Sequence, residues 1–367
     1  MQTASCTKQP RYERRRPELT PCYKVLQNHL ASFLADREAE GRPLPEYVEK
    51  EFEAYLRCGI PAHGFIRLKC DSCSEEKIVA FSCKKRGFCP SCCAKRMIEA
   101  ADHLTENLLP YIPYRQFVIT FPIPMRYSTP QSYALRGPHY WLQANKKLYS
   151  KIHAIIIKQI HRYYTDKAKE DGYKDSTPGT ISFTQRWGSA LNLNPHMHVL
   201  AADGVYTKNN DDKPVFRNLE KITNTELEEL LKNITTKVLS YLKKQGYLDK
   251  NGELTRHPEA DDLFEDHESL RDLTQASIKG KIAFGENAGK YVTKIGSGFG
   301  FGEEIPLAKG RLCYSMNGFS IHAATHINTH AREKLHKLIQ YIARGPLSNK
   351  RLEILPDERV KLQLKTP

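Results

Sequence analysis

No apolar run in this 367-residue chain approaches the roughly 20 residues that cross a bilayer as a helix, so an integral helical membrane protein is excluded. The first residues, Met-Gln-Thr-Ala-Ser-Cys-Thr-Lys-Gln-Pro-Arg, lack the hydrophobic stretch of a secretory signal, and a cytoplasmic setting is expected. There is no repeat period and no low-complexity tract, which sets aside solenoids and repeat arrays. The glycine-rich stretch from Gly296 to Gly302 lacks the G-x-x-x-x-G-K-[ST] order of a phosphate cradle and reads as a flexible loop. Acidic residues are in deficit: 42 Asp and Glu stand against 56 Lys and Arg, a net charge of +14. A field of that sign attracts polyanions, either nucleic acid or an anionic membrane surface. No stretch concentrates Lys and Arg opposite a broad apolar helix face, so the membrane ranks last and nucleic acid is kept.

Cysteine is present and unevenly spread. Of ten cysteines, seven fall between Cys58 and Cys93. A reducing cytoplasm keeps thiols free, so this clustering points to metal and not to disulfides. Cys70-Asp-Ser-Cys73 and Cys89-Pro-Ser-Cys92 are C-x2-C pairs fifteen residues apart, a spacing that lets four thiolates close a tetrahedral Zn2+ site. Cys83 could displace one of the four or, with Cys58 and His63, build a second site, and the spacing leaves both open. Lys84, Lys85, Arg86, Lys95 and Arg96 interleave with these ligands and are candidate phosphate contacts on a rigid scaffold.

Periodicity gives the coarse order of elements. Residues 20–57 read as helical, with Val25, Leu30, Phe33 and Leu34 on one face. A helix is expected from about Ser91 to Leu109, ending before Pro110, and a buried strand from Gln116 to Phe121. A long helix over about Tyr140–Tyr164 precedes a polar loop to Gly179 and strands at Thr180–Trp187 and Pro195–Ala202. Asp203-Gly204 is expected to turn the chain so that Val205-Tyr206 pairs back as a hairpin. Thr225 and Glu228 read as a capping box opening a helix that runs to about Gln245 with Gly246 as its stop. The stretch 209–275 reads as an inserted helical subdomain.

On the strand Asn-Pro-His196-Met-His198-Val-Leu-Ala, side chains alternate, so both imidazoles face one way and Met197, Val199 and Ala201 face the other, toward a core. Such a pair can hold a divalent metal over a sheet. The third ligand is open among Gln185, Asn192, Asn194 and Asp203, all polar and near in sequence.

Four stretches carry a resemblance: Phe81 to Cys92, Tyr114 to Pro122, Trp187-Gly-Ser-Ala-Leu-Asn-Leu-Asn-Pro-His-Met-His198, and Tyr341-Ile-Ala-Arg-Gly-Pro-Leu-Ser-Asn-Lys-Arg-Leu352. Together they resemble rolling-circle transposases of the HUH superfamily, in the group with an N-terminal transposase zinc-binding domain and no terminal inverted repeats. The resemblance implies an α+β fold: an HUH-type nuclease domain at 111–367, mostly antiparallel, with helices on the face away from the histidines. It would follow a basic tail at 1–19 and a helical, zinc-binding, DNA-binding domain at 20–110, and would contain the helical insertion at about 209–275.

The resemblance further implies Mg2+ or Mn2+ at His196 and His198, structural Zn2+ at the cysteines, and a tyrosine nucleophile. Tyr341 opens the stretch that matches the nucleophile helix, with Arg344 beside it as a DNA contact; Tyr291, in Lys-Tyr-Val-Thr-Lys, is the reserve. Two-tyrosine members carry their pair four residues apart, whereas positions 337 and 345 here are Lys and Gly, so a single-tyrosine relative is expected. Members continue beyond the equivalent of Lys365-Thr-Pro367, which leads to the expectation of a truncated copy. The implied partners are single-stranded DNA at transposon ends and target DNA, in a nucleoid-associated setting. A rolling-circle replication initiator and a non-catalytic, zinc-dependent DNA-binding remnant or regulator are the alternatives.

Overall fold

The computed structural model describes residues 15–39, 43–44, 46–72, 75–85, 87–122, 125, 146–188, 191, 193–248 and 307–364. The chain divides into two compact units, residues 1–100 with 343–364, and residues 101–342 with 365–367. No helix among the described residues is long and apolar enough to cross a membrane.

In the first unit, α1 (Pro21–Ala39) and α2 (Glu46–Arg57) replace the single helical stretch read over 20–57. Gly41, Pro43 and Pro45 lie between them, and proline lacks the N–H an interior helical turn requires. A hairpin of β1 (Phe65–Lys69) and β2 (Glu76–Ala80) follows, antiparallel, with Phe65 opposite Ala80. The helix α3 (Pro90–His103) opens on a proline, which suits the first helical position. Tyr23, Tyr55, Cys58 and Cys89 form the buried centre of this unit, with Phe88, Leu347 and Leu352 packed around it.

The second unit is built on a seven-stranded sheet. A single π-helical turn at Leu104–Leu108 closes the expected helix before Pro110. The strands are β3 (Tyr114–Thr120), β5 (Thr180–Trp187), β6 (Leu193–Ala202), β9 (Leu307–Gly310), β10 (Cys313–Met316), β11 (Phe319–His322) and β12 (His326–Ile327). Their order is β5-β6-β3-β11-β10-β9, with β12 also on β3, and every pairing is antiparallel. The fold is therefore α+β with a mostly antiparallel sheet, as the sequence implied.

Two helices, α4 (Lys146–Glu170) and α5 (Asn224–Lys244), cover one face: Ile152, Ile156, Ile160, Leu227, Leu231 and Ile234 pack with Phe117, Ile119, Met197, Val199, Phe319 and Ile321. Alternation along the strands explains this, since these strand residues share a face. The other face is not bare. Leu335 and Ile339 of α6 (Arg332–Ala343) pack on Tyr114, Leu200 and Ile327.

Three readings of the sequence give way here. Val205-Tyr206 lies in β7 (Gly204–Lys208), which pairs with β4 (Ser176–Thr177) and β8 (Pro214–Asn218) in a separate sheet and not back on β6. Asp203 cannot serve as a solvated turn residue: Arg115 Nε and Nη2 donate to its carboxylate at 3.0 and 2.8 Å, and Tyr164 Oη donates at 3.0 Å. At Gly204 a side chain would collide with the Arg217 carbonyl of β8, so glycine lets the chain pass straight into the second sheet. The capping box is Thr223 with Glu226, two residues earlier than expected, because Thr-x-x-Glu occurs twice in succession. The helix it opens shares the main core, so residues 224–244 are a layer of this unit; residues 249–275 of the expected insertion lie outside the described residues.

Candidate metal centre and nucleophile

Each unit carries one constellation of chemistry-bearing side chains. In the first, Cys58 follows α2, Cys83 follows β2, and Cys89 and Cys92 flank the start of α3; their sulfurs all lie within 4.8 Å of one another. Cys83 and Cys92 Sγ are 3.4 Å apart, Cys58 and Cys92 3.6 Å, Cys58 and Cys89 3.8 Å. Tetrahedral Zn2+ with bonds of about 2.3 Å spaces its sulfurs about 3.8 Å apart, so the donor set fits zinc. The cluster also tunes itself. A hydrogen bond from Cys83 pulls the Cys58 thiol down to about 6, and contacts from Cys58, Cys83 and Cys89 hold Cys92 well below the thiol range. The same bonds push Cys83 and Cys89 up.

This quartet differs from the one expected from spacing. Gly59 N donates to Phe81 O and Phe81 N to Gly64 O, closing the base of the β1–β2 hairpin and bringing Cys58 beside Cys83. Cys70 sits at the far end of the hairpin, exposed, with its sulfur 3.1 Å from Ser72 Oγ. Five residues of strand separate the two ends, about 17 Å. Cys73 lies outside the described residues. Lys84, Lys85 and Lys95 are exposed, Arg96 is half-buried, and Arg86 lies outside the described residues.

In the second unit the register sets the site. His196 on β6 is opposite Thr120 of β3 and Gln185 of β5, and His198 is opposite Val118 and Phe183. The two imidazoles share a face, with ring centroids 4.9 Å apart. His196 Nδ1 donates to the Asn194 carbonyl at 2.7 Å, which puts the lone pair of the neutral ring on Nε2, the tautomer a metal ligand needs. The end of the Gln116 carboxamide lies 2.8 Å from His198 Nδ1, and with its oxygen toward the ring it accepts from Nδ1–H and leaves the Nε2 lone pair to a metal. Gln116 is a residue the sequence reading passed over. Its signal was a single amide beside the apolar run Phe117-Val-Ile119 of a strand read as buried, where a polar side chain needs a reason to be.

Tyr341 comes to this face from α6. Its ring centroid lies 6.2 Å from that of His198, edge-on at 88°. Gln185, 1% exposed, donates from Nε2 to the carbonyls of Tyr341 at 3.2 Å and Ile342 at 2.9 Å. A register shift follows directly in β5, between Gln185 and Trp187, as bulges often do beside functional groups.

Among the residues weighed as third ligand, Asp203 is engaged by Arg115 on the opposite face and drops out. Gln185 Oε1 and Asn194 Oδ1 are buried oxygens without a hydrogen-bond partner among the described residues. A buried oxygen left so costs about 1–3 kcal/mol, a cost a bound cation would offset. With two imidazoles and a carboxamide oxygen, the donor set suits a divalent cation. Arg344 lies in the first unit, half-buried; Tyr291 and Asn192 lie outside the described residues.

Comparison with known families gives two matches. A model for a transposase zinc-binding domain matches residues 25–121. A second, described as "Putative transposase", matches residues 179–367, the span that contains the histidine pair and Tyr341. No curated protein and no solved structure matches the chain.

Proposed function

Because the chain belongs to this transposase family, with DNA as its partner, we propose that it nicks and transfers single-stranded DNA through a 5′-phosphotyrosine on Tyr341, in rolling-circle transposition. The observation that carries this reading is the approach of the Tyr341 ring, 46% exposed, to His198 on the face it shares with His196. A divalent cation, Mg2+ or Mn2+, bound by His196 and His198 would supply Lewis-acid stabilisation of the phosphoryl oxygens. Gln185, directly opposite His196, is the favoured third ligand.

The chain's own groups then divide the work. The Tyr341 oxygen attacks phosphorus and its proton passes to solvent; the bond from phosphorus to the 3′ oxygen breaks, and that oxygen takes a proton from water. The 5′ phosphate remains on tyrosine, so the bond energy is kept for rejoining to a 3′ hydroxyl without ATP. With one tyrosine in the stretch Tyr341–Leu352, and Lys and Gly at positions 337 and 345, cutting and rejoining would reuse the same side chain. The four-sulfur unit, stiffened by zinc, would hold DNA at the element's end and the target through Lys84, Lys85 and Lys95. Arg344 and the half-buried Arg96 would add to that grip.

The test is incubation of the chain with labelled single-stranded DNA from its element's ends and Mg2+ or Mn2+, read by denaturing gel and mass spectrometry. A covalent adduct on Tyr341, abolished by Tyr341→Phe and by His196→Ala, is expected. Tight binding with no adduct would sink the reading in favour of a non-catalytic DNA-binding protein.

A further inference from the structure

The geometry points to Gln185 as a positioning residue that couples the cation site to the helix carrying Tyr341, an inference that rests on the reading above. Helix α6 ends at Ala343, so the carbonyls of its last turn have no partner within the helix. Two of them, on Tyr341 and Ile342, are met by one amide that arrives from β5, 156 and 157 residues earlier in the chain. Carbonyls only accept, so the Gln185 amide has one orientation available: its NH2 faces the helix, and Oε1 faces away.

That oxygen is buried and meets no hydrogen-bond donor among the described residues. Its strand partner is His196, and side chains directly opposite on neighbouring strands lie roughly 5 Å apart at Cβ. A hard cation on the histidines would satisfy Oε1 while leaving the NH2 on the helix. The single amide is thus a bridge. A cation on its oxygen polarises the amide and strengthens both N–H bonds to the helix end. Tyr341 would be held firmly when the cation is present and more loosely when it is not.

Three variants of the 367-residue chain separate the possibilities, each with its unfolding temperature checked. Mn2+ affinity is measured by calorimetry, and amide hydrogen exchange is followed over residues 338–343 with and without Mn2+. In the natural chain, Mn2+ should slow exchange across that segment. Gln185→Leu should weaken Mn2+ binding by ~10-fold or more and abolish the exchange response. Gln185→Glu keeps an oxygen for the cation but sets a carboxylate against two carbonyls, so it should bind Mn2+ at least as tightly while the exchange response is lost.

Gln185→Leu with Mn2+ affinity within about threefold of the natural chain and an intact exchange response would overturn the bridge. So would a Gln185→Glu chain whose helix end still responds to Mn2+. Failure of the underlying reading looks different: the natural chain would show no Mn2+ binding that His196→Ala removes.

Discussion

Cys58 supplies a sulfur 3.6 Å from Cys92 and 3.8 Å from Cys89, whereas the Cys70 thiol is exposed beside Ser72. Cys58→Ser or Cys83→Ser should therefore release zinc and lower the unfolding temperature, while Cys70→Ser should retain about one zinc per chain, as elemental analysis would read. The reverse pattern would restore the quartet expected from spacing. Glu226 offers a test by pH. Burial alone would raise its carboxyl, but bonds from Lys167 and Thr223 outweigh this and hold it below its ordinary value. A carboxyl depressed on folding adds stability that is complete above the unfolded value, near pH 4.3, and fades as pH falls through the lower folded one. Glu226→Gln should flatten the acid limb of the stability curve below about pH 5 in urea titrations.

At the scale of elements, legibility tracked how local the deciding interaction was. The strand Thr180–Trp187 was read to its end residues, because alternation is written in adjacent positions. The sheet face of Met197 and Val199 was legible for the same reason. Beyond that the sequence was blind. Nothing near Asp203 announces Arg115, 88 residues upstream, yet that bond decides that the chain runs on into β7 and does not turn back. The C-x2-C rule sees four residues at a time and could not weigh Cys58 against Cys70, since the closure of the hairpin base makes that choice. Two overlapping Thr-x-x-Glu boxes look alike on paper. Thr223 has the capping advantage because its hydroxyl takes the Glu226 N–H while Glu226, held by Lys167, returns to Thr223 N. Gln185 stood as one of four open candidates for the third ligand and Gln116 lay unremarked in the Tyr114 to Pro122 stretch; the register of β3, β5 and β6 is what brings both to the histidines.

For the molecule as a whole, a net charge of +14 argues for contacts made chiefly to phosphates. Affinity for single-stranded DNA should fall by ~10-fold or more between low and physiological salt, measured by fluorescence anisotropy at several salt concentrations; a flat response would put base stacking ahead of charge. The sheet itself has a further consequence. Its middle strand β3 is bonded on one side to β6 and on the other to β11 and β12, so Gln116 waits for a partner 82 residues away and Thr120 for one 200 residues away. During synthesis β3 and its apolar face emerge long before the segment that covers its second edge, leaving an open strand edge for as long as it takes the ribosome to add those residues. The order of emergence thus withholds the Tyr341 face until α6 itself has been made, and through that interval the growing polypeptide carries an open strand edge on which misassembly can begin.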